Sequence, residues 1–193
     1  MHTATHFLIG AQSLARKGER GRNIAVVVGT IFPDVTIFVM FWWATLFLGL
    51  PQRTIWDEVY FQDGWHTAIN ATNSLPIFVL IIVIGLLIRQ AWIWGFGAAA
   101  LLHVAFDLPF HHNDGHAHFW PITDWIFESP ISYWDPAHFG VWVTSLEMVI
   151  AVVLVTVLWR RFHSPWWRGL LIVAAMSYSV LIFFALTLGP GSA

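Results

Sequence analysis

The chain has 193 residues, of which 58% are hydrophobic and only 10% charged, with a mean hydropathy of +0.67. A soluble domain carries about 25% charged residues, so this composition excludes an ordinary water-soluble enzyme and points to an integral membrane protein. The net charge of −2 excludes the basic face of a nucleic-acid binder, and the lack of cysteine excludes disulfides and thiolate ligands.

Residues 3–16 form a short apolar helix candidate. They contain His6 and no basic leader, so they do not read as a cleavable signal peptide. Five longer apolar stretches follow, at about 24–49, 67–88, 91–108, 141–159 and 167–188, most of them near the roughly 20 residues that cross a hydrocarbon core. The expected architecture is a single all-α domain over residues 1–193, a polytopic membrane bundle of five to six transmembrane helices. An interfacial loop rich in His and Trp is expected at 109–140. The terminal Gly189–Ala193 carries no argument. Arg16, Lys17, Arg20 and Arg22 sit in the first loop, Arg89 in a later turn, and Arg160, Arg161 and Arg168 in the last loop. Excess Lys and Arg marks the cytoplasmic side, so the loops near 50–66 and 109–140 are expected to face outward with both termini. Trp92, Trp94, Trp159, Trp166 and Trp167 then lie near one boundary, and Trp56, Trp65, Trp120, Trp125, Trp134 and Trp142 near the other, as two aromatic belts would.

Ionisable residues interrupt these apolar stretches. His103 and Asp107 are four apart on one helix face, and such a pair is costly inside a membrane unless it serves a function. Imidazole and carboxylate also suit a divalent metal such as zinc. At 1.5 Å per residue, His6, Asp34 and His103 lie about 15, 18 and 21 Å from the basic end of their helices. Glu147 enters from the other side, about 9 Å down its helix. His66 and Asp107 sit at the outer edge. Independent helices thus bring ligand-type groups to a similar depth, which predicts a metal site in the outer half of the bundle. Taken alone, His6 reads equally well as a helix–helix hydrogen-bonding residue, Pro33-Asp34 as a kink with a capping carboxylate, and His66 as a solvated interfacial residue. His66, Asn70 and Asn73 share a helix face, as helix glue or as supports that orient ligands. In the segment Pro109–Pro121, the Asn113-Asp114-Gly115 turn is expected to fold His116 and His118 back toward His111 and His112. These four are candidates for further ligands or for proton transfer. Residues 120–135 read as an interfacial segment.

The ordered motifs Thr5-His6-Phe7-Leu8-Ile9-Gly10-Ala11, Phe32-Pro33-Asp34, Gly64-Trp65-His66-Thr67, Leu102-His103-Val104-Ala105-Phe106-Asp107 and Phe119-Trp120-Pro121 span roughly residues 1–135. In that order they resemble the YdjM-type family of LexA-regulated bacterial inner-membrane proteins, described as metal-dependent hydrolases. The chain departs from the family pattern at Thr36, where the family often has Asp, and at Gln62-Asp63, where it often has an earlier His. The ligand order is also similar to that of zinc-dependent phospholipases C, which is an analogy of site and not of fold.

The resulting expectation is a membrane-embedded metal-dependent hydrolase of the inner membrane. His6, Asp34, His66, His103 and Asp107, with His111 and His112 from the loop, would hold one or two divalent ions, most simply zinc. Asp107, Glu147, His116 and His118 would move protons while metal-activated water cleaves an ester or phosphoester of a lipid or lipid-linked substrate. The alternatives are a metal-ion or proton transport protein using the same cluster, and a non-enzymatic membrane scaffold.

Overall fold

The computed structural model describes the backbone of residues 1–188 and the side chains of residues 1–179, so the terminal Gly189–Ala193 lies outside the described residues. The elements run α1 (Thr3–Leu14), α2 (Arg20–Leu46), α3 (Gln52–Thr54), α4 (Asp63–Thr72), α5 (Leu75–Leu87), α6 (Ala91–Asp107), α7 (Gly140–Arg161) and α8 (Pro165–Leu188). A π-helical turn at Ile55–Val59 extends α3, and there is no strand among the described residues. Among the described residues, three segments, Arg20–Leu46, Ala91–Phe110 and Gly140–Arg161, are long and apolar enough to cross a bilayer. The bent pair α4–α5 makes up to four if it is one broken span.

Lipid is as apolar as a leucine side chain, so helices in a membrane associate through close packing of small residues rather than through hydrophobicity. The α2–α6 and α5–α6 interfaces follow this rule. A Cβ added at Gly29 of α2 would lie 2.4 Å from the Phe96 carbonyl oxygen of α6, and one at Gly85 of α5 would lie 2.4 Å from the Trp94 backbone nitrogen. Phe78, Ala100 and Val104 fill the space between α5 and α6, with Phe32 of α2 against them. On the other side of the bundle, Phe7, Leu8 and Ala11 of α1 pack with Leu158 of α7 and Trp167 and Leu171 of α8. Thus α1 is wedged between the α2–α6 pair and the α7–α8 pair.

The apolar stretch 67–88 reads as one span in the sequence but is broken in the structure. Helices α4 and α5 meet at 44° across Asn73 and Ser74. Ser74 caps α5 by accepting from the Ile77 N–H at 3.2 Å, and Pro76 sits in the first turn, where its missing N–H costs nothing. The freed groups are used by the long loop: the Leu75 N–H donates to the His118 carbonyl at 2.8 Å, and the Ser74 hydroxyl to the Trp120 carbonyl at 2.5 Å. Pro33, a candidate kink, instead lies inside an uninterrupted α2, and its carbonyl accepts from Thr72 and Asn73, each at 3.3 Å. Residues 120–135 carry no helix and leave Ile122, Trp125 and Ile126 exposed.

The Gly29–Phe96 approach generates a stability prediction. Replacing Gly29 by Ala pushes α2 off α6 and should cost about 1–3 kcal/mol, as overpacking does, read as a lower thermal-unfolding midpoint. Gly21→Ala, where a Cβ meets open space, should leave the midpoint unchanged.

Candidate metal centre

Asp107 ends α6 with its carboxylate 3% exposed as a residue. Its Oδ1 lies 2.8 Å from His6 Nε2 of α1 and 3.4 Å from His111 Nε2 of the loop. Its Oδ2 lies 3.0 Å from His103 Nε2, one turn earlier on the same helix. The Met1 amino group lies 2.5 Å from Oδ1. The rings of His6 and His103 stack at 3.6 Å with 9° between their planes. Asp34 Oδ1 of α2 stands 3.5 Å from His103 Nε2. One ligand atom from each of His6, His103 and Asp107 lies within 4.8 Å of the others, and all three residues are buried.

Two features orient this group. His103 Nδ1 lies 2.7 Å from the Thr30 carbonyl oxygen; a carbonyl only accepts, so Nδ1–H donates and the lone pair of the neutral ring is on Nε2. Nε2 is buried and has no hydrogen-bond partner, although the Asp34 and Asp107 carboxylates flank it. A carbonyl that fixes the tautomer of a ring and turns its other nitrogen toward carboxylate ligands is the usual support of a metal-binding histidine. Likewise the Thr3 hydroxyl donates to Asp34 Oδ2 at 2.5 Å, which holds the other carboxylate oxygen toward His103. The donor set of two imidazoles and one or two carboxylates could hold a divalent metal ion.

The remaining candidates are sorted by the fold. His111 joins the centre, and its Nδ1 sits 3.1 Å from Asp114 Oδ2. Burial pulls the His111 ring down, but the Asp107 and Asp114 carboxylates prevail and push it up to about 9. His116 is next to it, ring centroids 5.6 Å apart, with Nδ1 3.0 Å from the Tyr60 hydroxyl. Burial, then the neighbouring His111 and His118, push His116 down to about 3. His118 is also lowered by burial, and its Nδ1–H donates to the Asn73 carbonyl at 3.2 Å. Both rings are therefore neutral at neutral pH, which does not suit them to donate a proton there. His112 does not join the group: its ring stacks on His138 at 3.6 Å and its Nδ1–H donates to the Ser129 carbonyl. Nor does His66, whose ring lies among those of Tyr60 and Phe61. Its neighbours Asn70 and Asn73 act as glue, Asn70 accepting from the Ala117 N–H and Asn73 donating to the Pro33 carbonyl. Glu147 is buried at the right depth but is occupied by His2, which meets it through the backbone N–H at 3.1 Å and Nδ1 at 2.6 Å.

His2, Thr3 and Thr30 were not singled out in the sequence. The spacing carried a trace of two of them, since His2 precedes His6 by four and Thr30 precedes Asp34 by four, each pair on one helix face. Comparison with family models, with curated proteins and with solved structures finds no match to this chain.

The geometry separates ligands from bystanders. His66→Ala and His112→Ala should keep wild-type metal content in elemental mass spectrometry of the purified protein. Thr3→Val, which frees Asp34, should weaken divalent-metal affinity about 10–100-fold, the range for loss of a supporting hydrogen bond, measured by competition with a chromogenic chelator.

Proposed function

We propose that this protein is a membrane-embedded, metal-dependent hydrolase that cleaves an ester or phosphoester of a lipid or lipid-linked substrate. The observation that carries this reading is the buried His6–His103–Asp107 group, with Nε2 of His103 turned toward the Asp107 and Asp34 carboxylates. The ordered motifs that resemble the YdjM-type family support it from the sequence side. In this reading five to six helices cross the bacterial inner membrane, and the centre lies in the outer half of the bundle.

A bound divalent ion would supply Lewis acidity, polarising a substrate oxygen and acidifying water. The protein's own groups do the rest. His6, His103 and Asp107 would hold the ion, with Asp34, positioned by Thr3, as a fourth donor. His111 is the group placed to carry a proton, because it bridges Asp107 and Asp114. His116 and His118 are neutral neighbours that fill and dry the loop side of the centre. Glu147 fixes His2 beside Thr3. A cavity of about 600 Å³, within the usual range of ligand pockets, runs from His2 and Thr3 along Phe7, Val27, Ile31 and Leu170. Its polar end is formed by His2, Thr3 and Ser177 and its walls are apolar, as an amphipathic substrate requires.

The test is metal content per chain together with turnover of fluorogenic lipid phosphoesters and esters. Wild type should hold about one or two divalent ions, the number such sites take. A His103→Ala, Asp107→Ala double variant should lose both metal and turnover. Metal retained in the double variant would remove this group as the site. Bound metal with transmembrane metal flux and no ester turnover would replace the hydrolase with a transporter.

A further inference from the structure

The basic residues that mark one end of the bundle come from two loops far apart in the chain, and the fold brings them together. Two of these cations are already partnered. Arg22 pairs with Glu19 at 3.0 Å and lies over the Trp94 ring, and Arg168 lies 3.6 Å over the Trp159 ring. Arg161 reaches across from α7 to the end of α1, donating to the Gln12 and Ala15 carbonyls at 2.9 and 2.6 Å. This tie closes a cavity of about 330 Å³ lined by Lys17, Arg20 and Arg161, with Asn23 and Ser164 beside them and Trp167 as an apolar wall. Among the described residues, no carboxylate lies within 4.0 Å of any of these three cations. The one acidic side chain of the first loop, Glu19, is taken by Arg22.

We propose that this cavity binds the phosphate-bearing headgroup of an anionic phospholipid. Three positive charges without counter-charge around one concavity favour an anion. Their place at the ends of α2 and α7, two helices long and apolar enough to cross a bilayer, favours one delivered by the bilayer, since basic pockets between transmembrane helices take anionic headgroups. The stacked pair Phe162 and Trp167, 4.2 Å between centroids, gives the glycerol and the first methylenes an apolar surface. The site is at the opposite end of α1 from the metal centre, and its occupation does not depend on the activity proposed there. A headgroup in this position ties the α1–α2 loop to the α7–α8 loop, which are otherwise joined by Arg161.

The experiment uses the full-length protein in a neutral detergent, with native mass spectrometry to count bound lipid and a titration of the thermal midpoint. The probes are phosphatidylglycerol, phosphatidylcholine and inorganic phosphate. Phosphatidylglycerol should bind at about one per chain, as one cavity implies, and raise the midpoint, with phosphatidylcholine much weaker. A Lys17→Gln, Arg20→Gln double variant should weaken phosphatidylglycerol about 10–30-fold, from roughly 1 kcal/mol per basic residue near a charged surface. Both positions are exposed, so folding is not at risk. Arg160→Gln, at the same end but outside the cavity, should change affinity less than about twofold, the scale of a screened distant charge. Equal loss in Arg160→Gln and the double variant would mean diffuse surface attraction and would overturn the site. Inorganic phosphate matching phosphatidylglycerol would overturn the lipid as its source.

Discussion

A carboxylate buried at the end of a membrane helix has to be compensated by charge or by hydrogen bonds, because an uncompensated ion in a low-dielectric interior costs several kcal/mol. Asp107 is compensated from three elements at once. Its own helix supplies His103, α1 supplies His6, and the long loop supplies His111. Each of these partners has its own anchor. The Thr30 carbonyl holds His103, the stack on His103 holds His6, and Asp114 holds His111. The arrangement of α1 against α2 and α6, and of the loop over all three, can be read as the set of positions that satisfy this one group.

That constraint explains features of the fold that hydrophobicity alone does not. Thr30 can present its carbonyl to His103 only if α2 and α6 approach closely, and Gly29 and Ala99 at the contact permit it. The loop reaches Asp107 because α4 and α5 do not form one straight rod. The break at Ser74 leaves backbone and side-chain partners that bind His118 and Trp120, and this docking sets the loop histidines beside the centre. Trp134 donates to Asp114 at 2.9 Å and extends the same chain of supports outward.

The two ends of α1 have different chemistry, and both depend on what packs around it. At its start, His2, Thr3 and His6 face carboxylates of α2, α6 and α7. At its end, its last carbonyls are held by Arg161 and the neighbouring cations have no counter-charge. A helix of twelve residues is about 18 Å long, too short to cross the hydrocarbon core. It spans instead between an acidic, ligand-rich region and a basic one, which gives a short buried helix a reason to be polar at both ends in an otherwise apolar chain.

Much of this was determined by the sequence itself. Long apolar runs in a chain with few charges can only be buried helices or spans, so the all-helical class and most helix positions were legible from composition and run length. The pairing of His103 with Asp107 was also legible, because helical periodicity places residues four apart on one face whatever surrounds them. Partners brought by other elements were not. His66 and His111 both looked like ligands by residue type and depth, and only packing turned one toward Tyr60 and the other toward Asp107. Glu147 had the right depth and chemistry, yet His2 claims it, since depth along a helix says nothing about rotation around it. The break at Asn73–Ser74 escaped the hydropathy pattern because Asn, Ser and Pro interrupt the apolar run only briefly, and their hydrogen bonds go to a loop more than forty residues away. Local patterns are set by the backbone's own geometry, whereas the choice among chemically equivalent histidines is made by contacts that exist only once the helices have packed.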